Sequence, residues 1–259
     1  MLAVADAVRP ETNVVSDKHI AEARSRLIVA LDFDRVEDAE RLVETLGKEI
    51  EFYKVGLGLQ LAGGEPFVKK LKEQYKKNVF LDYKYYDIGE TIRKAVARAA
   101  EFGVDMLTVH GVSQILQSAV AGRNSVAGSK MKIFCVTVLT SLDAEDLKEM
   151  GFPETMEVHE LVAHRARSAF KAGIDGVIAS AQEVGRLKEE FESNLDVITP
   201  GIRPLWAASD DQKRIATPFE AISAGADYLV VGRPITGSRN PIDAAHDIVM
   251  EMASAIAAG

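Results

Sequence analysis

The chain has 259 residues, 47% hydrophobic and 27% charged, with 31 Lys+Arg against 39 Asp+Glu and a formal net charge of −8. That balance argues against a nucleic-acid backbone or an anionic membrane surface as main partner, since both need basic patches, and no stretch approaches the ~18 consecutive apolar residues of a membrane helix. The single cysteine, Cys135, excludes an internal disulfide and fits a reducing, cytoplasmic compartment.

Residues 1–26 carry Asp6, Arg9, Glu11, Asp17 and Lys18 with no continuous apolar run of secretion-signal type. They read as an N-terminal extension that enters its first helix near Ser16 or Lys18. From Leu27 onward, short aliphatic runs alternate with longer segments of helical period, the signature of βαβ units. The predicted strands are Leu27–Leu31, Phe52–Val55, Val79–Leu81, Met106–Val109, Ile133–Val138, Gly176–Ile178, Val197–Ile198 and Tyr228–Val231. Helices are expected over Val36–Gly47, Pro66–Lys76, Ile92–Phe102, Val112–Ala127, Val158–Ala172, Glu183–Phe191, Phe219–Ala224 and Ile242–Ala258.

Near-continuous apolar strands belong to a parallel sheet covered on both faces. Eight of them favour a single closed (β/α)8 TIM barrel over residues 27–259. A doubly wound sheet would carry a glycine fingerprint after its first strand, where this chain has Asp32-Phe33-Asp34-Arg35. Three phrases echo one another: Phe102-Gly103-Val104-Asp105, Ala172-Gly173-Ile174-Asp175 and Ala224-Gly225-Ala226-Asp227. Each reads as a helix ending at a glycine cap, followed by an aspartate turn at the bottom of the barrel.

Chemistry in such a barrel sits at the C-terminal ends of the strands, so polar residues that end apolar runs are the candidates. They are Asp32, Lys54, the segment Asp82-Tyr83-Lys84-Tyr85-Tyr86-Asp87, His110, Thr140-Ser141, Gly201-Ile202-Arg203 and Gly232-Arg233. Period-2 geometry places Asp82 and Lys84 on one face of their strand, with Lys54 entering from the next. Two cations around a carboxylate are tolerable in a partly desolvated site only because the charges alternate. Gly201, Gly232 and Arg233 fit a phosphate site, and Ile202 to Arg214, containing Trp206 and Gln212, is long enough to cover a ligand. His159 and His164 stand five apart on a helix and do not form a zinc pair. The sequence shows no metal-ligand cluster, nucleotide P-loop or Gly-x-Ser-x-Gly elbow.

Six segments together carry a resemblance: Leu31-Asp32, Tyr53-Lys54-Val55-Gly56, Leu81 to Ile88, Ile198 to Pro204, Asp210-Asp211-Gln212-Lys213-Arg214 and Val231 to Thr236. In order and spacing they resemble the orotidine 5′-phosphate decarboxylase family, from about Arg26 to the C-terminus. The resemblance implies a homodimeric barrel that converts orotidine 5′-monophosphate to uridine 5′-monophosphate without metal or organic cofactor. Lys84 would protonate the carbanion at C6, beside Asp82 at the departing carboxylate. Lys54 and Asp32 would hold ribose hydroxyls, with Lys54 also paired to Asp82. Asp87, Ile88 and Thr91 would enter the neighbouring subunit's site. Thr140 would contact the pyrimidine, and Arg203, Gln212, Gly232 and Arg233 would serve the phosphate and lid.

Where the family usually has Pro-Asn, this chain has Gly89-Glu90, which frees φ and restores an N–H at a helix start. That pair also resembles the magnesium-dependent hexulose-phosphate synthases and ketogulonate-phosphate decarboxylases, the enzymatic alternative. The segments Pro200-Gly201-Ile202-Arg203-Pro204 and Asp210–Arg214 belong to the orotidylate pattern instead. A non-enzymatic sugar-phosphate binder would have no need of Asp82 and Lys84 together.

Overall fold

The computed structural model describes residues 14–207 and 215–259. Eight parallel strands close in sequence order: β1 Leu27–Ala30, β2 Phe52–Gly56, β3 Asn78–Tyr85, β4 Met106–His110, β5 Lys132–Val136, β6 Gly176–Ile178, β7 Asp196–Thr199 and β8 Tyr228–Val231. The helices are α1 Asp17–Arg26, α2 Val36–Leu46, α3 Leu57–Gln60, α4 Gly64–Glu73, α5 Gly89–Glu101 and α6 Ser113–Asn124. They continue with α7 Ala144–Glu149, α8 Val158–Ala172, α9 Ala181–Glu190, α10 Pro218–Ser223, α11 Arg233–Thr236 and α12 Pro241–Ala258. The chain is thus a (β/α)8 barrel, and each predicted strand is present. The short helices α3, α7 and α11 escape periodicity, although Asp143 and Asp146 form a capping box at the start of α7.

Strand alternation sorts the core into two layers. Ile28, Ala30, Phe52, Phe80, Met106, Phe134, Ile198 and Val230 point inward and pack on one another. Their neighbours Val29, Tyr53, Val79, Leu107, Ile133, Val177, Val197 and Leu229 face outward and pack in the larger outer core with buried residues of the helices. Gly176 belongs to the inner set for a steric reason: a Cβ there would lie 2.4 Å from the Phe134 ring, so its absence lets Phe134 fill the barrel.

The aspartates of the three echoing turns fasten the bottom rim. Asp105, Asp175 and Asp227 accept the backbone N–H of Val79 (2.7 Å), Ile133 (2.8 Å) and Val197 (2.6 Å). Each also pairs with a cation from a covering helix, namely Lys72, Arg123 and Lys188 respectively. Gly103, Gly173 and Gly225 turn the chain with positive φ just before them. Within the expected N-terminal extension, residues 17–26 form α1, capped by Ser16 and packed on α12. Its last residue, Arg26, donates to the carbonyls of Ala226 and Asp227 below β8.

Candidate active site

At the opposite rim the same residue types are arranged differently. β2 carries Lys54 into the barrel, where it is 7% exposed. Its Nζ lies 2.8 Å from Asp32 Oδ1 and 3.5 Å from Asp82 Oδ2, while Lys84 Nζ lies 2.9 Å from Asp82 Oδ1. The result is an alternating row Asp32, Lys54, Asp82, Lys84 across the ends of β1, β2 and β3. Burial on its own would raise the pKa of Asp82; Lys54 and then Lys84 overcome it and hold the carboxyl below the ordinary range. Burial likewise disfavours the Lys54 ammonium, yet Asp82 and Asp32 together hold its pKa above the ordinary lysine value. Both groups are therefore charged near neutral pH.

Gly56 lies close against the first contact: a Cβ there would stand 3.1 Å from Lys54 Nζ and 3.2 Å from Asp32 Oδ1, so the paired side chains would have to shift slightly. Asp82 and Lys84 converge, but simple alternation is not what brings them together. Lys84 has φ +49°, and the β3–β4 register shifts between Leu81↔Leu107 and Tyr85↔Val109. The bulge re-aims the lysine at the mouth of the barrel. Thr108, fully buried on β4, stands beside it and was not among the sequence candidates. The available signal was the alternation Met106, Thr108, His110, which turns Thr108 inward.

These side chains open onto a cavity of about 490 Å³, within the usual range for small-molecule sites. Asp32, Lys54, Asp82, Lys84, Thr140, Arg203, Gly232 and Arg233 all line it, over an apolar floor of Phe80, Ile178, Ile198 and Val230. The Asp/Lys row stands at the ends of β1 to β3, Arg203 and Arg233 follow β7 and β8, and hydrocarbon lines the same cavity. His110 is half-buried outside this lining, edge-on to Tyr86 at 6.0 Å between ring centroids. Burial first, then Arg165 and Lys84, keep its pKa below the usual value.

Three expected residues do not meet the chain's own cavity. Ile88 is 73% exposed, Thr91 is exposed, and the Asp87 carboxylate accepts the Ile88 N–H at 2.6 Å on the rim. Gly89 opens α5 where it approaches α6: a Cβ would come within 2.6 Å of Ser118 Oγ. Glu90 is paired with Arg93 and Lys94. Gln212, with the rest of Asp210–Arg214, lies outside the described residues. Among the described residues no three His, Cys, Asp or Glu side chains converge as metal ligands, and no helix is long and apolar enough to cross a membrane.

A closed parallel barrel with ion-paired lysines at its C-terminal rim and arginines lining the same cavity defines the class, a (β/α)8-barrel enzyme of the kind that handles small anionic substrates. Residues 25–248 match the model of the orotidine 5′-phosphate decarboxylase / HUMPS family, and the chain belongs to that family. It is 56% identical over 234 residues to the orotidine 5′-phosphate decarboxylase of Nitrobacter winogradskyi, covering 90% of this chain and 95% of that protein. The enzyme of the same name from Methylobacterium nodulans is 46% identical over 232 residues, covering 90% and 97% of the two chains. Among solved structures, the orotidine 5′-phosphate decarboxylase of Lactobacillus acidophilus superposes with a TM-score of 0.76 at 35% identity, covering 87% of this chain and 98% of that one.

Proposed function

We propose that the chain decarboxylates orotidine 5′-monophosphate to uridine 5′-monophosphate, the observation that carries this reading being the Asp32, Lys54, Asp82, Lys84 row at the barrel mouth. Breaking the bond from C6 to the carboxylate releases CO₂ and leaves an electron pair localised in the ring plane, with no substituent to delocalise it. A fixed cation must therefore stand where that charge develops. Lys84 meets the requirement, and its ammonium can then transfer a proton to C6. Asp82 keeps Lys84 aimed and lies where the departing carboxylate would be, while Lys54 and Asp32 offer a donor and an acceptor to ribose hydroxyls. Thr140, in the same lining, would contact the pyrimidine edge. Arg203, Arg233 and the Gly232 backbone, all in the cavity lining, would hold the phosphate, with Gln212 assigned there on the resemblance. Phosphate binding, remote from the breaking bond, can then hold the ring against the lysine row.

The reading includes a homodimer in which Asp87, Ile88 and Thr91 complete the neighbouring site. Its support is the exposure of large apolar side chains just past β2, β3 and β4, namely Leu57, Leu61, Tyr86, Ile88 and Val112. A reducing, cytoplasmic setting fits Cys135, whose thiol burial pushes up to about 12, leaving it protonated and inert. The magnesium-dependent alternative is disfavoured: relatives spanning nine-tenths of the chain carry the decarboxylase name, and Asp32 and Asp82 are both engaged by Lys54.

The test is direct. Purified protein incubated with orotidine 5′-monophosphate and excess EDTA should consume the orotate absorbance and yield uridine 5′-monophosphate. Turnover that requires magnesium, or that occurs only with a hexulose or ketogulonate phosphate, would transfer the chain to the alternative.

A further inference from the structure

Thr108 stands where β3 departs from its ladder. Leu81 pairs with Leu107 and Tyr85 with Val109, so the three residues 82–84 stand opposite Thr108 alone. Lys84 adopts φ +49° there, a left-handed conformation that a residue with a side chain holds only when its surroundings enforce it. Its backbone N–H points at the Thr108 hydroxyl, with 2.9 Å between nitrogen and Oγ1. The same hydroxyl lies 3.1 Å from Asp82 Oδ1. An N–H can only donate and an ionised carboxylate can only accept, so the proton direction is set: Thr108 accepts from Lys84 and donates to Asp82. Its position is fully buried, and Asp82 Oδ1 is also the oxygen that holds Lys84 Nζ at 2.9 Å.

We infer that Thr108 is a positioning residue for the decarboxylation, its hydroxyl locking the strained Lys84 backbone and the Asp82 carboxylate into one unit. The inference rests on the decarboxylase reading of this site. Without the hydroxyl, the Lys84 N–H loses its acceptor in a place water enters poorly, and the backbone has reason to leave the left-handed region. The ammonium at the end of that residue then swings from its place beside C6. The groups assigned to the phosphate, Arg203 and Arg233, follow β7 and β8, which do not neighbour β4 in the barrel, and are left as they were. The deficit therefore falls on the chemical step rather than on binding.

The experiment compares Thr108→Val, which keeps shape and loses the hydroxyl, with Thr108→Ser, which keeps the hydroxyl and loses the methyl. With orotidine 5′-monophosphate as substrate, Thr108→Val should lower kcat on the order of 10- to 100-fold with KM within about threefold of wild type. Thr108→Ser should recover kcat to within about threefold of wild type. A Val variant with undiminished kcat, a loss expressed mainly in KM, or a Ser variant as impaired as Val would each overturn the positioning role. Should Thr108→Val fail to fold, the Lys84 amide of the wild type decides. Hydrogen exchange as slow as that of the β4 ladder amides supports the lock, and loop-like exchange overturns it. Wild-type protein inactive on this substrate would instead bring down the decarboxylase reading, and this role with it.

Discussion

The two rims of the barrel use aspartate and lysine or arginine in opposite ways. At the bottom, Asp105, Asp175 and Asp227 each accept one strand N–H and hold one cation, so every charge has a structural partner. At the top, Asp82 lies between Lys54 and Lys84, Lys54 is shared with Asp32, and the second contact of Lys54 is stretched to 3.5 Å. None of these contacts fastens a strand start. The bottom arrangement joins neighbouring turns and strands, whereas the top one gathers alternating charges around an open cavity, where a ligand can meet them. Placement along the strand, and not residue type, separates the two roles.

The sharpest way to break this comparison is Lys84→Ala. It should lower kcat by at least about 10³-fold, equivalent to ~4 kcal/mol of barrier, while the fold persists. Retention of activity within about tenfold would reject Lys84 as proton donor. The same variant tests the shared site. Mixed with Asp87→Ala subunits under exchange conditions, it should recover up to roughly a quarter of wild-type activity, because half of the dimers are mixed and each has one intact site. No recovery after verified exchange would mean that each site is built within one chain.

The bottom rim should respond in the reverse sense. Asp175→Ala leaves the Ile133 N–H and the Arg123 guanidinium without their partner, and should cost about 2 kcal/mol of stability. In a domain of this size that lowers Tm by roughly 4–8 °C, read by thermal denaturation. Activity per folded molecule should stay at the wild-type value. A fall in kcat for the folded fraction would show that the two rims are coupled after all.

The smallest effect is the pH dependence of the top rim. Asp82 has a native pKa below its ordinary value of 3.8, so its contribution to stability is present above that value and is lost as pH falls through the native one. Lys54 is shifted upward from 10.5, so its contribution is complete below that value and is lost as pH rises through the native one. The difference in unfolding free energy between wild type and Asp82→Asn should therefore be flat from about pH 5 to 9 and shrink below about pH 4. Denaturant titrations at a series of pH values measure it. A difference that persists at low pH would show that the lysines do not hold Asp82 ionised.

Much of the molecule was legible before folding. The aliphatic runs predicted all eight strands because parallel strands buried on both faces admit few polar residues. The same rule exposed Asp32, Lys54, Asp82 and Lys84 as charges ending apolar runs, and the glycine-aspartate echoes marked the bottom turns. What only the tertiary structure decided depends on neighbours distant in sequence. Lys84 reaches Asp82 through a bulge whose acceptor, Thr108, lies on another strand, and no pattern within β3 encodes that register shift. Gly56 lies close against an ion pair whose carboxylate belongs to β1's end, and Gly176 leaves space for a ring on β5. Asp87, Ile88 and Thr91, three and more residues past Lys84, turn to the outer rim and away from the cavity. Periodicity records which face of an element is buried; the contacts made across that face are set when the barrel closes.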